Sequence, residues 1–307
     1  GVTIIYISHR LDEVFQVTDS ITILRDGTYI TTVNTADTNR QELVKLMVGR
    51  ELTESYPQRT HELGDVILET RNLTGNSVEN ISFQLRRGEI LGFAGLVGCG
   101  RTETAQLICG AAPSVSGEIL VNGQVRKIKT PVDAIRAGIG LIPEDRKEQG
   151  CILQNSVLFN TTLICNRKFM SGGVISGKRR RQVANEYKDK LKIKVPSVDN
   201  MTVNLSGGNQ QKVVVAKTMA ADLDIIFFDE PTKGIDVGAR HEIYTLMNEM
   251  AAEGKAIVMI SSDMEEVLGM SDRILVLSEG RISGELTKEN FSQENVLTLA
   301  SGLEVTV

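Results

Sequence analysis

No apolar run in this 307-residue chain approaches the roughly 18 to 20 residues needed to cross a bilayer. The first residues also lack the basic-then-apolar order of a secretory leader. Any membrane role is therefore expected to run through a partner. Positive charge is in deficit: 34 Lys and Arg against 39 Asp and Glu leave a net charge of −5, so no global field recruits nucleic acid or an anionic lipid surface. The strongly basic cluster Lys178-Arg179-Arg180-Arg181 reads as a solvated helix start, with a phosphate or lipid site as the alternative. Cysteine is scarce and unpatterned. Cys99, Cys109, Cys151 and Cys165 have no metal-ligand spacing, and reduced thiols of a cytosolic protein are the expectation. What remains, 41% hydrophobic and 24% charged, is globular composition with room for one large domain and additional material.

The chain is organised around Leu205-Ser206-Gly207-Gly208-Asn209-Gln210-Gln211, followed by Lys212-Val213-Val214-Val215-Ala216-Lys217. The two glycines let backbone N–H groups approach an anion, and Ser206 adds a hydroxyl donor. The apolar run behind them reads as a helix whose positive end faces the same anion. Taken alone, Ser-Gly-Gly is also an ordinary helix-entry turn. Next, Leu223 to Thr232 reads as a buried strand ending in Asp229 and Glu230, adjacent carboxylates suited to holding Mg²⁺ and polarising a water beside a phosphate. Upstream, Gly95-Leu96-Val97-Gly98-Cys99-Gly100-Arg101-Thr102-Glu103 lies between a buried-strand pattern and a helix, where a phosphate-binding loop belongs. Gly95, Gly98 and Gly100 let the backbone wrap phosphate oxygens, and Thr102 supplies a hydroxyl for Mg²⁺. A glycine-rich turn without a ligand is the alternative for this loop by itself.

Together the three segments resemble the signature, Walker B and Walker A motifs of ATP-binding cassette (ABC) ATPases. The phrases LSGGNQQK, DEPTKGIDVGAR, PEDRK, GLVGCGRTE and SSDMEEVLGMSDRI extend the resemblance over nearly the whole chain. It points to the C-terminal part of the ATP-binding subunit of a bacterial monosaccharide importer of the ribose, galactose and xylose class, a tandem ABC ATPase. The fold this implies is an α/β P-loop cassette: a RecA-like parallel core sheet, an antiparallel β-subdomain and a helical subdomain over about 150–204. The alternation of strands with helices and loops agrees with that class.

An internal repeat supports the tandem reading. Gly1 to Gly27 matches Gly254 to Gly280 without a gap: Ile7-Ser8 falls on Ile260-Ser261, Glu13-Val14 on Glu266-Val267, and Asp19 on Asp272. Residues 1–50 thus read as the tail of a first cassette, 51–65 as a linker and 66–307 as a second cassette. The run Ile4-Ile5-Tyr6-Ile7 reads as a buried strand. Without its parent sheet it would be an exposed edge, expected to pack on the second cassette or on another copy of the chain. A short helical pattern covers Arg40 to Met47.

Against the family pattern, several positions of the second cassette are altered. Arg101 stands where Lys is usual, and a planar guanidinium does not replace a compact ammonium between phosphates. Glu103 puts a like charge at the helix N-terminus beside the anion. Glu144, in Pro143-Glu144-Asp145-Arg146, replaces the neutral glutamine that contacts Mg²⁺ and water. The repeat sets Ser262 opposite His9, so the switch imidazole is present in the first copy and missing from the second. Leu73-Thr74-Gly75-Asn76-Ser77 lacks the aromatic that stacks on adenine, a loss of about 1 kcal/mol or more. Asp229 and Glu230 remain as metal carboxylate and candidate base, and Gly234-Ile235-Asp236 as a D-loop.

The resemblance implies ATP and Mg²⁺ as cofactors. It implies sugar-permease transmembrane subunits as partners, a periplasmic sugar-binding protein indirectly, and a peripheral position at the cytoplasmic face of the inner membrane. In this class each signature caps the nucleotide of the facing cassette. Ser206, Gly207, Gly208 and Gln210 would then serve the first cassette's site together with His9, while the Arg101 pocket binds nucleotide weakly or without turnover. Two classes of function are weighed: an ATPase half that drives sugar import, and an interaction module that caps and docks without hydrolysis. An ABC protein acting on DNA or ribosomes is a third. The acidic balance opposes it, as does the lack of a zinc-ligand insertion, a long coiled coil or a basic arm.

Overall fold

The computed structural model describes residues 2–7, 11–25, 28–39, 42–43, 46, 56–58 and 61–304. In chain order the elements are α1 (Leu11–Val17), β1 (Ser20–Arg25), β2 (Thr28–Asn34), β3 (Val66–Gly75), β4 (Val78–Arg86), β5 (Ile90–Ala94) and α2 (Arg101–Ile108). There follow β6 (Ser116–Val121), β7 (Gln124–Arg126), α3 (Pro131–Arg136), β8 (Ile139–Ile142), α4 (Val157–Thr162), β9 (Met170–Ser171), β10 (Val174–Ile175) and α5 (Gly177–Lys190). The last are α6 (Gly207–Ala220), β11 (Ile225–Asp229), α7 (Val237–Ala252), β12 (Ala256–Ile260), α8 (Met264–Met270), β13 (Arg273–Ser278), β14 (Arg281–Thr287) and α9 (Gln293–Ala300).

Strands β5, β11 and β12 are apolar throughout except for the terminal Asp229, and every residue in them is buried, as parallel strands covered on both faces require. They form the centre of a sheet of order β14-β13-β5-β12-β11-β8, parallel except for the edge strand β14. Strand β4 alternates buried and exposed positions, the pattern of an antiparallel strand with one face on a core. It belongs to the second sheet, β4-β3-β6-β7, which is antiparallel. Phe83 of β4 meets Phe93 of β5 edge to face, 5.4 Å between centroids, within the core shared by the two sheets. The other face of the parallel sheet is covered by α6 and α7, with the helical segment 150–204 packed beyond them.

That helical segment is held by buried polar groups. Asn160, with no exposed surface, accepts from the Ile152 N–H at 2.8 Å and donates to the Ile152 carbonyl at 3.0 Å and Thr202 Oγ1 at 2.9 Å. The basic cluster opens α5, capped by the Ser176 hydroxyl. Arg180 donates twice to Thr162 Oγ1, and Arg181 pairs with Asp199, so the cluster is used in part to fasten the subdomain.

The sequence repeat is also a structural one. Helix α1 and strands β1 and β2 have 7, 6 and 7 residues, as do α8, β13 and β14. Each hairpin carries its register shift at the matching place, Ile23/Leu24 in one and Val276/Leu277 in the other. Residues 2–7 depart from expectation. They form no strand, and Val2, Ile4, Ile5 and Ile7 are 80–92% exposed, so these four side chains are not buried among the described residues. Their counterpart β12 is a strand because β5 and β11 pair with both its edges, and among the described residues no strand pairs with 2–7. Of the helical pattern at 40–47, residues 42, 43 and 46 are described and helical. The described part of segment 51–65 is anchored: Tyr56 packs on Tyr244 at 5.3 Å, and His61 Nε2 meets the Gly88 carbonyl at 2.8 Å.

The two sheets are locked where Glu89, 1% exposed, receives the Arg86 N–H at 2.7 Å and Arg273 Nε at 2.9 Å. Arg273 in turn donates to the Gln84 carbonyl at 2.6 Å. Removing one partner of a buried pair leaves the other uncompensated. Glu89→Gln is expected to lower unfolding stability by about 3 kcal/mol in a urea titration, the low end because Arg273 keeps some solvent.

Candidate functional site

Strand β5 runs straight into the glycine loop, and α2 begins at Arg101. Gly95 has φ +143°, and a Cβ there would stand 2.3 Å from the Leu277 carbonyl oxygen, so no side chain fits. Gly98 has φ +80° with nothing within 4 Å of a built Cβ: it is needed for its conformation, and the space above it is open. Val97 beside it is 94% exposed. The first N–H groups of a helix lack intrahelical partners, and α2 starts at this loop, a placement that fits an anion.

Below the loop, Thr102 Oγ1 donates to Asp229 Oδ1 at 3.2 Å. Asp229 is 2% exposed. Burial pushes its carboxyl up to about 6, the Thr102 hydrogen bond opposes this, and the nearby Glu144 and Glu230 charges add to the rise. A buried carboxylate paired with one hydroxyl and raised by neighbouring negative charge is suited to a divalent cation. Glu230 follows with φ +49°, a left-handed conformation uncommon outside glycine, which turns the chain sharply at the strand end. Its carboxyl is raised chiefly by burial and accepts from Ser262 Oγ at 3.0 Å.

Arg101 does not point into the cradle. Its Nη1 donates to the Ser261 carbonyl at 2.6 Å, so the cation is tied to the end of β12. Glu144 forms an ion pair with Lys233, which draws it away from a neutral glutamine's role. Glu103 lies half-buried in the first turn of α2, its carbonyl receiving Asn76 Nδ2 at 3.3 Å. Cys99 is buried under the loop. Burial pushes its thiol up, and the Arg101 charge offsets this only in part, so it is not the activated thiolate that a helix N-terminus can produce.

The signature residues form a second group. Ser206 is exposed at the N-cap of α6 and its Oγ receives Asn209 Nδ2 at 2.9 Å. A Cβ on Gly208 would stand 2.7 Å from that of Ala239, so this glycine is required for the approach of α7. Asp236 caps α7 by accepting the Ala239 N–H at 3.0 Å. Gln210 is 6% exposed and donates to the Thr202 and Leu205 carbonyls at 3.3 and 3.1 Å, so it shapes the loop rather than facing outward. His9 lies outside the described residues. Arg101, Thr102, Asp229, Glu230 and Ser262 are therefore brought together, while Ser206, Gly207, Gly208 and Asp236 assemble at the starts of α6 and α7.

One group escaped the sequence reading. Glu266, 1% exposed, accepts the hydroxyls of Thr232, Ser261 and Tyr244, the last at 2.6 Å. It braces the loops carrying Glu230 and Ser262. The signal was available, because the repeat sets Glu13 opposite Glu266. The four thiols are all buried. In the native protein, alkylation at neutral pH is expected to be about tenfold or more slower than for a free thiol, with all four reacting on denaturation. Rapid labelling of Cys99 in the native state would contradict the geometry of the loop.

Three comparisons with known proteins bear on this arrangement. The sequence profile described as ABC transporter matches residues 78–233, just over half of the chain. A ribose import ATP-binding protein of Lactococcus lactis subsp. cremoris is 47% identical over 302 residues, covering 98% of this chain and 61% of that protein. A putative ribose/galactose/methyl galactoside import ATP-binding protein of Burkholderia cenocepacia is 49% identical over 310 residues, covering 100% and 60%. The chain thus spans about three fifths of the length of these relatives. Among solved structures, an ATP-binding cassette of an ABC transporter in its ADP conformation superposes with a TM-score of 0.64 at 21% identity, covering 76% of this chain and 95% of that one. A second cassette, in a dimeric post-hydrolysis state bound to ADP and Pi, gives 0.62 at 22%, covering 73% and 100%. These two show the fold, an α/β P-loop cassette. With the profile match over the glycine loop, the signature and the Asp229-Glu230 pair, they establish that the chain belongs to the ABC transporter family.

Proposed function

We propose that the chain is the second cassette, with the tail of the first, of a tandem ATP-binding subunit that powers monosaccharide import. Its own pocket is weakened, and its signature face completes the site of the first cassette. The observation that carries this reading is the placement of Arg101: the loop and the Thr102–Asp229 pair are formed, yet the cation that belongs over the phosphates is held by the Ser261 carbonyl. Gly95, Gly98, Gly100 and the start of α2 would hold ATP phosphates, and Thr102 and Asp229 would hold Mg²⁺, which supplies neutralisation of phosphate charge when bound. Glu230 would act on a water, oriented by Ser262, whose hydroxyl cannot take up the charge an imidazole carries.

The matching elements at 11–34 and 264–287 support the tandem, as do the longer import ATP-binding relatives. On the same resemblance the partners are sugar-permease transmembrane subunits and, through them, a periplasmic binding protein. The site of action is the cytoplasmic face of the inner membrane, reached through the permease. Among the described residues no helix is long and apolar enough to cross a membrane. A second reading, a capping and docking module without turnover, is favoured by the same Arg101 contact.

Calorimetric titration of Mg-ATP into this chain separates the two. Arg101→Lys is expected to tighten binding about tenfold, because a lysine released from the fork geometry reaches the phosphates. Gly207→Asp is expected to leave that binding unchanged while removing ATP turnover in the two-cassette protein. Absence of binding in both the parent and Arg101→Lys would favour the capping module.

A further inference from the structure

The segment after Glu144 is fastened at both ends. It forms a single π-type turn, Arg146–Gly150, capped by Asp145, whose carboxylate accepts the Lys147 and Glu148 N–H groups at 2.8 and 3.1 Å. At its far end Lys217 of α6 donates to the Gly150 carbonyl at 2.6 Å. At its near end Arg146 donates from Nη1 to the Lys233 carbonyl at 2.9 Å and from Nη2 to the Gly234 carbonyl at 3.3 Å, in the loop between Glu230 and Asp236. The same Nη2 lies 2.8 Å from the position a Cβ on Gly207 would take. Nε is buried without an acceptor, so the two terminal nitrogens alone orient the guanidinium.

One planar cation thus joins three segments distant in sequence: the turn after Glu144, the D-loop and the first residue of the signature helix. Two consecutive carbonyls match the fork of an arginine and not the single ammonium of a lysine. Gly207 acquires a second reason to lack a side chain, since the guanidinium occupies that space. We propose that Arg146 is a positioning residue that holds the D-loop and the glycine face of α6 in one register, presenting Ser206 to Gly208 to the facing cassette's nucleotide as a rigid unit. The inference rests on the proposed capping role of that face. It adds a residue that touches no nucleotide itself and acts through Gly207 and Gly234.

Two measurements test it. In this chain, thermal unfolding of Arg146→Met, Gly207→Ala and the double variant forms a cycle. Gly207→Ala is expected to lower Tm in the presence of Arg146, and to lower it less than about half as much when residue 146 is Met. Equal losses in the two backgrounds would overturn the contact. In the two-cassette protein, Arg146→Lys is expected to reduce kcat for ATP about fivefold or more with KM within about twofold, and millimolar guanidinium to restore part of the rate of Arg146→Ala. A purely structural cation would lower Tm and leave kcat at low temperature unchanged, and that result for both variants would overturn the positioning role. A parent protein without ATP turnover would contradict the proposed function instead, and the unfolding cycle decides by itself whether Arg146 holds the three segments.

Discussion

Ile260 pairs with Phe93 on one edge of β12 and with Asp229 on the other, and the groups of the candidate site hang from that register. Immediately beyond the paired residues, β5 releases the glycine loop, β11 releases Glu230, and β12 releases Ser261 and Ser262. A slip of one residue in any of the three strands would reverse the faces of its side chains and misalign the loops that carry the site. The apolar runs that fix the register are therefore as much a part of the site as the polar residues. Burial of Asp229, which raises its carboxyl, is a direct consequence of ending a fully covered strand in an acid.

On this frame cations tie together segments that lie far apart in the chain. Arg101 is long enough to reach across to the Ser261 carbonyl, which ties the end of β12 to the start of α2. Glu266 then ties Ser261 to Thr232 and Tyr244, so the pocket is closed off from behind by hydrogen bonds rather than left loose. Arg146 and Lys217 fasten the turn after Glu144 to the D-loop and to α6. On the proposed reading, the Arg101 contact weakens the pocket while the Arg146 and Lys217 contacts stiffen the face that caps.

Much of this was legible in the sequence. Strands β5, β11 and β12 announce themselves as short apolar runs, and the glycine loop, Asp229 and Glu230 follow at their ends. The repeat placed α1, β1 and β2 opposite α8, β13 and β14, and these match in length and in the site of their register shift. Residues 2–7 were misjudged because a strand's composition does not supply the two neighbours that make it a strand. The orientation of Gln210 was not legible either: its place in the motif says nothing about which way its amide turns, and two nearby carbonyls claim it. The contacts of Arg146 and Glu266 join segments far apart in the chain, and periodicity and motif spacing carry no information about such meetings.

The most direct test of unequal sites is to trap the two-cassette protein with Mg-ATP and orthovanadate, irradiate it with ultraviolet light, and map the resulting backbone cleavage by mass spectrometry. Cleavage marks the loop that holds the transition-state analogue. The account predicts a cut in the glycine loop of the first cassette and an intact Gly95 to Glu103. Cleavage within Gly95 to Glu103 would show that this pocket reaches the transition state despite Arg101, and would contradict the account.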